Sequence, residues 1–140
     1  MTETIHAGCV AIAGRGVLIS GASGRGKSDL ALRLIDRGAR LVSDDYTVLA
    51  ERGGRLFASA PPRIAGRIEV RGLGIIAMEP LVDAPVCLAV DLDSAPERLP
   101  EPATASYLGL SLPSIAFAAL EASAPIKLER ALARFGLPLP

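Results

Sequence analysis

Eight residues, Gly21-Ala22-Ser23-Gly24-Arg25-Gly26-Lys27-Ser28, stand between the apolar run Val17-Leu18-Ile19 and an amphipathic stretch from Asp29 to Arg37. They match G-x-x-x-x-G-K-[ST] in the strand–loop–helix setting that gives this pattern its meaning as a phosphate-binding loop. Glycines lack Cβ, so such a loop can turn its backbone N–H groups inward around phosphate oxygens. The N-terminus of the following helix adds partial positive charge at the same spot. Lys27 supplies a point charge for the outer phosphates and Ser28 a hydroxyl for a magnesium ion. A chance glycine-rich turn is the competing explanation. At this composition about 0.002 matches are expected over roughly 133 start positions, and Lys27 is one of only two lysines.

The rest of the composition narrows the class. At 140 residues the chain reads as a single domain, 1–140, large enough to bury a substantial core. Half of it is hydrophobic, yet the longest apolar runs, such as Gly74 to Met78 and Val86 to Val90, are strand-sized. A membrane helix needs about 20 apolar residues, so no membrane partner is expected. The first residues carry acid rather than base, unlike a signal peptide. Fifteen basic and fifteen acidic residues cancel and aromatics are few, which excludes a basic stripe with stacking rings for nucleic acid. Cys9 and Cys87 stand alone in apolar surroundings, as small buried hydrophobes of a reducing compartment do. The expected location is the cytoplasm.

In chain order, residues 4–13 read as a strand, Gly14-Arg15-Gly16 as a turn, and Val17 to Ser20 as a second strand feeding the loop. That puts His6, the only histidine, on the strand beside the loop, where a structural role competes with a functional one. Ser28 to Arg37 is a helix with Leu30, Ala31, Leu34 and Ile35 on one face, and Gly38 is its natural stop. Arg40-Leu41-Val42 is a short strand that ends in Ser43-Asp44-Asp45. Carboxylates at a strand end, one helix after a phosphate loop, suit phosphoryl transfer, where an acid holds magnesium or takes a proton from an attacking hydroxyl. The competing explanation is a polar turn.

Further on, Tyr46 to Glu51 and Arg55 to Ser59 form a hairpin around Arg52-Gly53-Gly54. Arg63, Arg67 and Arg71 are spaced four apart, so on a helix they would line one face with Glu69 among them. Val86 to Asp91 is a strand covered on both faces. Residues 93–106 read as a Pro-rich loop, Ser111 to Leu120 as a strand, and Ala124 to Phe135 as a closing helix with Pro125 in its first turn.

These motifs together resemble the C-terminal catalytic domain of HPr kinase/phosphorylase. The resemblance is tightest over His6-Ala7-Gly8, Gly21 to Ser28, Arg37-Gly38 through Asp44-Asp45, Ala60-Pro61-Pro62, and the block Ile68-Glu69-Val70-Arg71-Gly72-Leu73-Gly74-Ile75-Ile76. It implies an α/β phosphate-loop kinase domain akin to phosphoenolpyruvate carboxykinase, a mixed sheet with flanking helices. It also implies an ATP-dependent serine kinase acting on HPr or a related phosphocarrier protein, in a regulatory role. By the same resemblance His6 is the active-site histidine, Asp45 the acid/base with Asp44 beside it, and Lys27 the phosphate-loop lysine. Ser28 and Glu69 are the magnesium ligands, and Arg98 looks like the family's active-site arginine. ATP–Mg²⁺ and a homo-oligomer, hexameric in the family, follow as expectations.

Two departures qualify this. The expected form is a short alphaproteobacterial variant, which lacks the family's N-terminal domain. The arginine-rich loop associated with dephosphorylation is replaced by Pro113-Ser114-Ile115-Ala116-Phe117-Ala118-Ala119, without a basic residue. The resemblance therefore supports the kinase reaction and not the reverse, phosphorylase one. The alternatives are a kinase acting on another signalling protein or small molecule, and a nucleotide-binding regulatory module. Loss of transfer in an Asp45→Asn variant separates an enzyme from such a module.

Overall fold

Val17, Leu18 and Ile19 have no solvent exposure, and the strand that carries them, β3 (Arg15–Ser20), is the axis of the fold. Val17 and Ile19 point into one hydrophobic core while Leu18 points into the other. This is the two-residue alternation of a strand covered on both faces. Burying each such side chain contributes about 1.5–3 kcal/mol. The computed structural model describes all residues, 1–140.

Around β3 the chain builds a nine-stranded mixed sheet. Antiparallel to it runs β2 (Gly8–Ile12), with β4 (Arg40–Ser43) antiparallel beyond that. On the other side β9 (Ala84–Asp91) runs parallel to β3. The sheet branches at β9. Its start pairs with β6 (Arg55–Ser59), which leads through β5 (Thr47–Arg52) to β1 (Thr2–Ile5). Its end pairs in parallel with β11 (Leu110–Ala116), and β11 with β10 (Ala103–Tyr107). Two helices, α1 (Lys27–Asp36) and α2 (Ala124–Phe135), bury Leu30, Leu34, Leu128 and Leu132 against one face. A separate hairpin, β7 (Arg67–Val70) with β8 (Gly74–Ala77), closes that core through Ile68. No helix is long and apolar enough to cross a membrane.

The C-terminal ends of β3, β4, β9 and β11 and the start of β2 all lie at one end of the sheet, because β2 alone of these runs the opposite way. In open α/β sheets the crevice outside those strand ends is where ligands bind.

Four readings of the sequence are corrected. The strand expected over 4–13 is two strands, broken at His6-Ala7, because β1 pairs with β5 while β2 pairs with β3. The arginine stretch is not helical: a short 3-10 turn (Pro62–Ile64) is followed by β7. Gly66 takes a positive φ of 73°, and a Cβ there would stand 2.9 Å from the Met78 carbonyl oxygen. Ile68, Val70, Ile75 and Ile76 then favour a hairpin. Part of the Pro-rich loop is β10, turned onto β11 through Leu108 and Gly109, both at positive φ. The strand expected over Ser111 to Leu120 ends at Ala116.

Candidate active site

The phosphate-loop motif leaves the end of β3 and enters α1, as its flanking sequence predicts. Gly24 and Gly26 both take positive φ, 85° and 93°, a backbone that side chains with a Cβ rarely adopt. Gly26 occupies the position before α1, and no side chain caps the helix there. Its first N–H groups are therefore free to meet an anion. Lys27 is buried, and its Nζ donates to the Gly21 carbonyl oxygen at 2.6 Å.

Asp44 ties this loop to the rest of the site. Its Oδ1 accepts from the Ser28 hydroxyl at 2.7 Å, and its Oδ2 accepts from the Glu69 backbone N–H at 2.9 Å. One carboxylate thus bridges the start of α1 and strand β7, and brings Ser28 and Glu69 to the same place. The Glu69 side chain is exposed on that strand. Alternation along β7 puts Arg67 and Glu69 on one face.

Asp45 is held in the left-handed region at φ 66°, where aspartate is tolerated better than most residues. Its Oδ1 lies 2.9 Å from His6 Nε2. His6 reaches it from the break between β1 and β2. That break is fixed by a buried hydrogen bond from Thr47 Oγ1 to the Ala7 carbonyl oxygen, 2.7 Å. The Tyr46 ring stacks on His6, with centroids 4.9 Å apart and planes inclined by 28°. Both partners of the His6–Asp45 pair are about half exposed, 46% and 53%, so solvent or a second macromolecule can reach them.

Six of the expected residues therefore meet: His6, Lys27, Ser28, Asp44, Asp45 and Glu69. Arg98 does not join them. It is exposed in the link between β9 and β10, and no hydrogen bond or ion pair joins it to the others.

Other contributors were not anticipated. Tyr46 gave no signal beyond following the acidic pair. Arg33 reaches from α1 to the Ala119 and Glu121 carbonyl oxygens and so fixes the segment after β11 beside Gly26. At the start of the loop, Asp93 accepts at Oδ1 from the Ala22 N–H at 3.0 Å and pairs with Arg25 Nε at 3.2 Å. Asp91 holds the turn behind it, accepting from the Asp93 N–H and the Ser94 hydroxyl. These bonds, Ser94 first, hold the Asp91 carboxyl below its ordinary range. Two aspartates directly after an apolar strand were the available signal.

The donor set suits magnesium. Ser28, Asp44 and Glu69 offer hard oxygen atoms, and no cluster of three or more His, Cys, Asp or Glu is present to hold a metal by itself. Magnesium is usually bound by one or two protein groups together with substrate phosphates.

A family model of the HPr serine kinase C-terminal domain matches residues 1–84. The chain belongs to that family. The matched stretch includes His6, the whole phosphate loop, Asp44, Asp45 and Glu69, and stops short of Asp91, Asp93 and Arg98. Among curated members, the HPr kinase/phosphorylase of Clostridium botulinum (strain Eklund 17B / Type B) is 49% identical over 72 residues, 51% of this chain and 24% of that protein. The HPr kinase/phosphorylase of Geobacillus kaustophilus (strain HTA426) is 44% identical over 100 residues, 66% of this chain and 32% of that protein. The match thus spans about a quarter to a third of these relatives' length. The Hpr(Ser) kinase/phosphatase from Coxiella burnetii has a closely similar structure. It superimposes with a TM-score of 0.82 at 31% identity, over 94% of this chain and 89% of that one. The family's mixed α/β fold is therefore present over nearly the entire chain.

Proposed function

We propose that this chain is a serine kinase domain that transfers the γ-phosphoryl group of ATP to a seryl hydroxyl of HPr or a related phosphocarrier protein. The observation that carries the proposal is the Asp44–Asp45 turn. One carboxylate is bonded to the phosphate-loop serine and its neighbour to a histidine, in a chain whose family is that of HPr kinases.

The triphosphate lies along Gly21 to Ser28, with the uncapped N–H groups of α1 and Lys27 facing its outer phosphates. Asp45 accepts the proton of the target serine, and His6 orients and buffers that carboxylate. The serine oxygen forms its bond to the γ-phosphorus as the bond to the bridging oxygen of ADP breaks. Ser28 and Glu69 would hold Mg²⁺, with Asp44 orienting both. When bound, the ion supplies positive charge that offsets charge on the phosphate oxygens. Little covalent work falls to the protein, so positioning and electrostatics provide the rate. The half-exposed His6–Asp45 pair leaves room for a protein substrate. The reverse reaction is no part of the proposal, because Pro113 to Ala119 carries no basic residue. Homo-oligomerisation belongs to the same reading and is checked by light scattering.

The test is incubation with ATP–Mg²⁺ and each purified phosphocarrier, with the modified residue mapped by mass spectrometry. Phosphoserine on a carrier is the expected product. If ATP binds but no carrier is modified, while a lysate protein is, the kinase has another target. If ATP binds and nothing is modified, the chain is a nucleotide-sensing module.

A further inference from the structure

We infer that Asp93 is a positioning residue for nucleotide binding, which braces the first half of the phosphate loop by gripping the Gly21–Ala22 peptide. The inference rests on the reading that this loop takes a nucleotide, and it names a residue outside the stretch that the family model matches.

The Gly21 carbonyl and the Ala22 N–H belong to one planar peptide unit. Lys27 Nζ donates to its oxygen at 2.6 Å, and Asp93 Oδ1 accepts from its nitrogen at 3.0 Å. The two side chains therefore hold opposite edges of the same plane, and neither can shift without turning the other's partner. A negative oxygen on the N–H also polarises the peptide and makes its carbonyl a better acceptor for the lysine. The same Asp93 oxygen pairs with Arg25 Nε at 3.2 Å, and the Arg25 N–H donates back to the Ala22 carbonyl oxygen at 3.2 Å. Asp93 thus touches the loop on both sides of its first turn.

The brace is itself anchored. The Leu92 N–H donates to the Ser20 carbonyl oxygen at 2.8 Å, which extends the pairing of β9 and β3 past their last ladder position. A Cβ on Gly21 would stand 3.0 Å from the Leu92 Cβ, so a larger residue there would push the loop entry and Leu92 apart. Asp91 accepts from the Asp93 N–H at 2.9 Å and from the Ser94 hydroxyl at 2.7 Å, an Asx turn that presents Asp93 to the loop. Asp93 is negative near a phosphate site, but Arg25 offsets that charge. The bracing effect therefore dominates, and removal of the side chain weakens binding.

The experiment measures affinity for ATP–Mg²⁺ and for inorganic pyrophosphate by calorimetry in the unaltered protein, Asp93→Ala and Asp93→Asn. Losing a partly exposed, charge-assisted contact should weaken both ligands by about three- to tenfold in Asp93→Ala. Asn keeps an oxygen for the Ala22 N–H and loses only the exposed ion pair, so Asp93→Asn should stay within about twofold. Hydrogen exchange at the Ala22 amide gives a readout that needs no variant. In the unaltered, ligand-free protein it should be slower than at Ser23, and it should speed up in Asp93→Ala but not in Asp93→Asn. Unchanged or tighter binding in Asp93→Ala, or an Ala22 amide as fast as Ser23, would overturn the inference while leaving the kinase reading intact. Failure of the unaltered protein to bind either ligand would overturn the kinase reading, and the brace with it.

Discussion

Two pairs of aspartates stand near the phosphate loop at the ends of two strands that β3 and β2 separate in the sheet, and they do different work. Asp44 and Asp45 follow β4 on one side, and on the other Asp91 ends β9 with Asp93 just beyond it. In the first pair one oxygen of Asp44 meets the Ser28 hydroxyl, and Asp45 meets a half-exposed histidine. In the second pair the partners are a turn, a loop peptide and a loop arginine. Residue type is the same, and Asp44 and Asp91 even accept from the same kinds of group, one hydroxyl and one backbone N–H each. What differs is where those partners sit. The hydroxyl on Asp44 is that of the phosphate-loop serine, and its neighbour Asp45 meets an exposed imidazole, so this pair stays beside groups that can act on a ligand. The hydroxyl and N–H on Asp91 belong to its own turn, and Asp93 grips a loop peptide and a loop arginine, so that pair is committed to shape.

The comparison breaks first at Asp45. If it is the base, Asp45→Asn should lower phosphoryl transfer by about 10²–10⁴-fold, with ATP affinity nearly unchanged, as read by labelled-ATP turnover beside calorimetry. Turnover equal to that of the unaltered protein would move Asp45 into the structural class of Asp91. Asp44 should come next. Asn has one acceptor oxygen for two donors, so Asp44→Asn forfeits either the Ser28 or the Glu69 bond. Each such bond to a charged group contributes about 1.5–3 kcal/mol. A loss of about tenfold or more in transfer, with faster hydrogen exchange at the Glu69 amide, is the expected result. A variant with full activity and an unprotected Glu69 amide would show that the bridge is ornamental.

How much of this was legible depends on how local each cause is. The phosphate loop, α1 and β3 were readable because glycines, one lysine and an apolar alternation act within a dozen residues of one another. The break at His6-Ala7 was not, since the Ala7 carbonyl that fixes it is held by Thr47, 40 residues away. The arginine spacing suggested a helix because side-chain period was weighed above backbone. Gly66 and the β-branched residues around it decide the matter. The strand β10 was masked by the prolines before it, and its own residues are only half apolar; pairing with β11 makes it a strand. Asp93 meets Ala22 across 71 residues, so no local pattern separates it from the acidic pair at β4.

The smallest effect is the sharpest test of the second pair's structural character. The Ser94 hydroxyl first, and the Asp93 N–H second, hold the Asp91 carboxyl below its ordinary range, against a small opposing effect of burial. A carboxyl with a depressed folded value contributes stability above its unfolded value, about 3.9. It loses that contribution as pH falls from there through the folded value. The turn that presents Asp93 should therefore loosen only in acid, below about pH 4. NMR titration of the Asp91 carboxyl carbon should show the low midpoint, and Ala22 amide protection should decline over the same interval. Asp91→Asn should remove that acid step, while nucleotide affinity at neutral pH changes by about twofold at most, since the group is only lightly buried and its bonds are screened. An Asp91 that titrates at the ordinary carboxylate value, with Ala22 protection independent of it, would detach the turn from the brace and leave Asp93 to hold the loop alone.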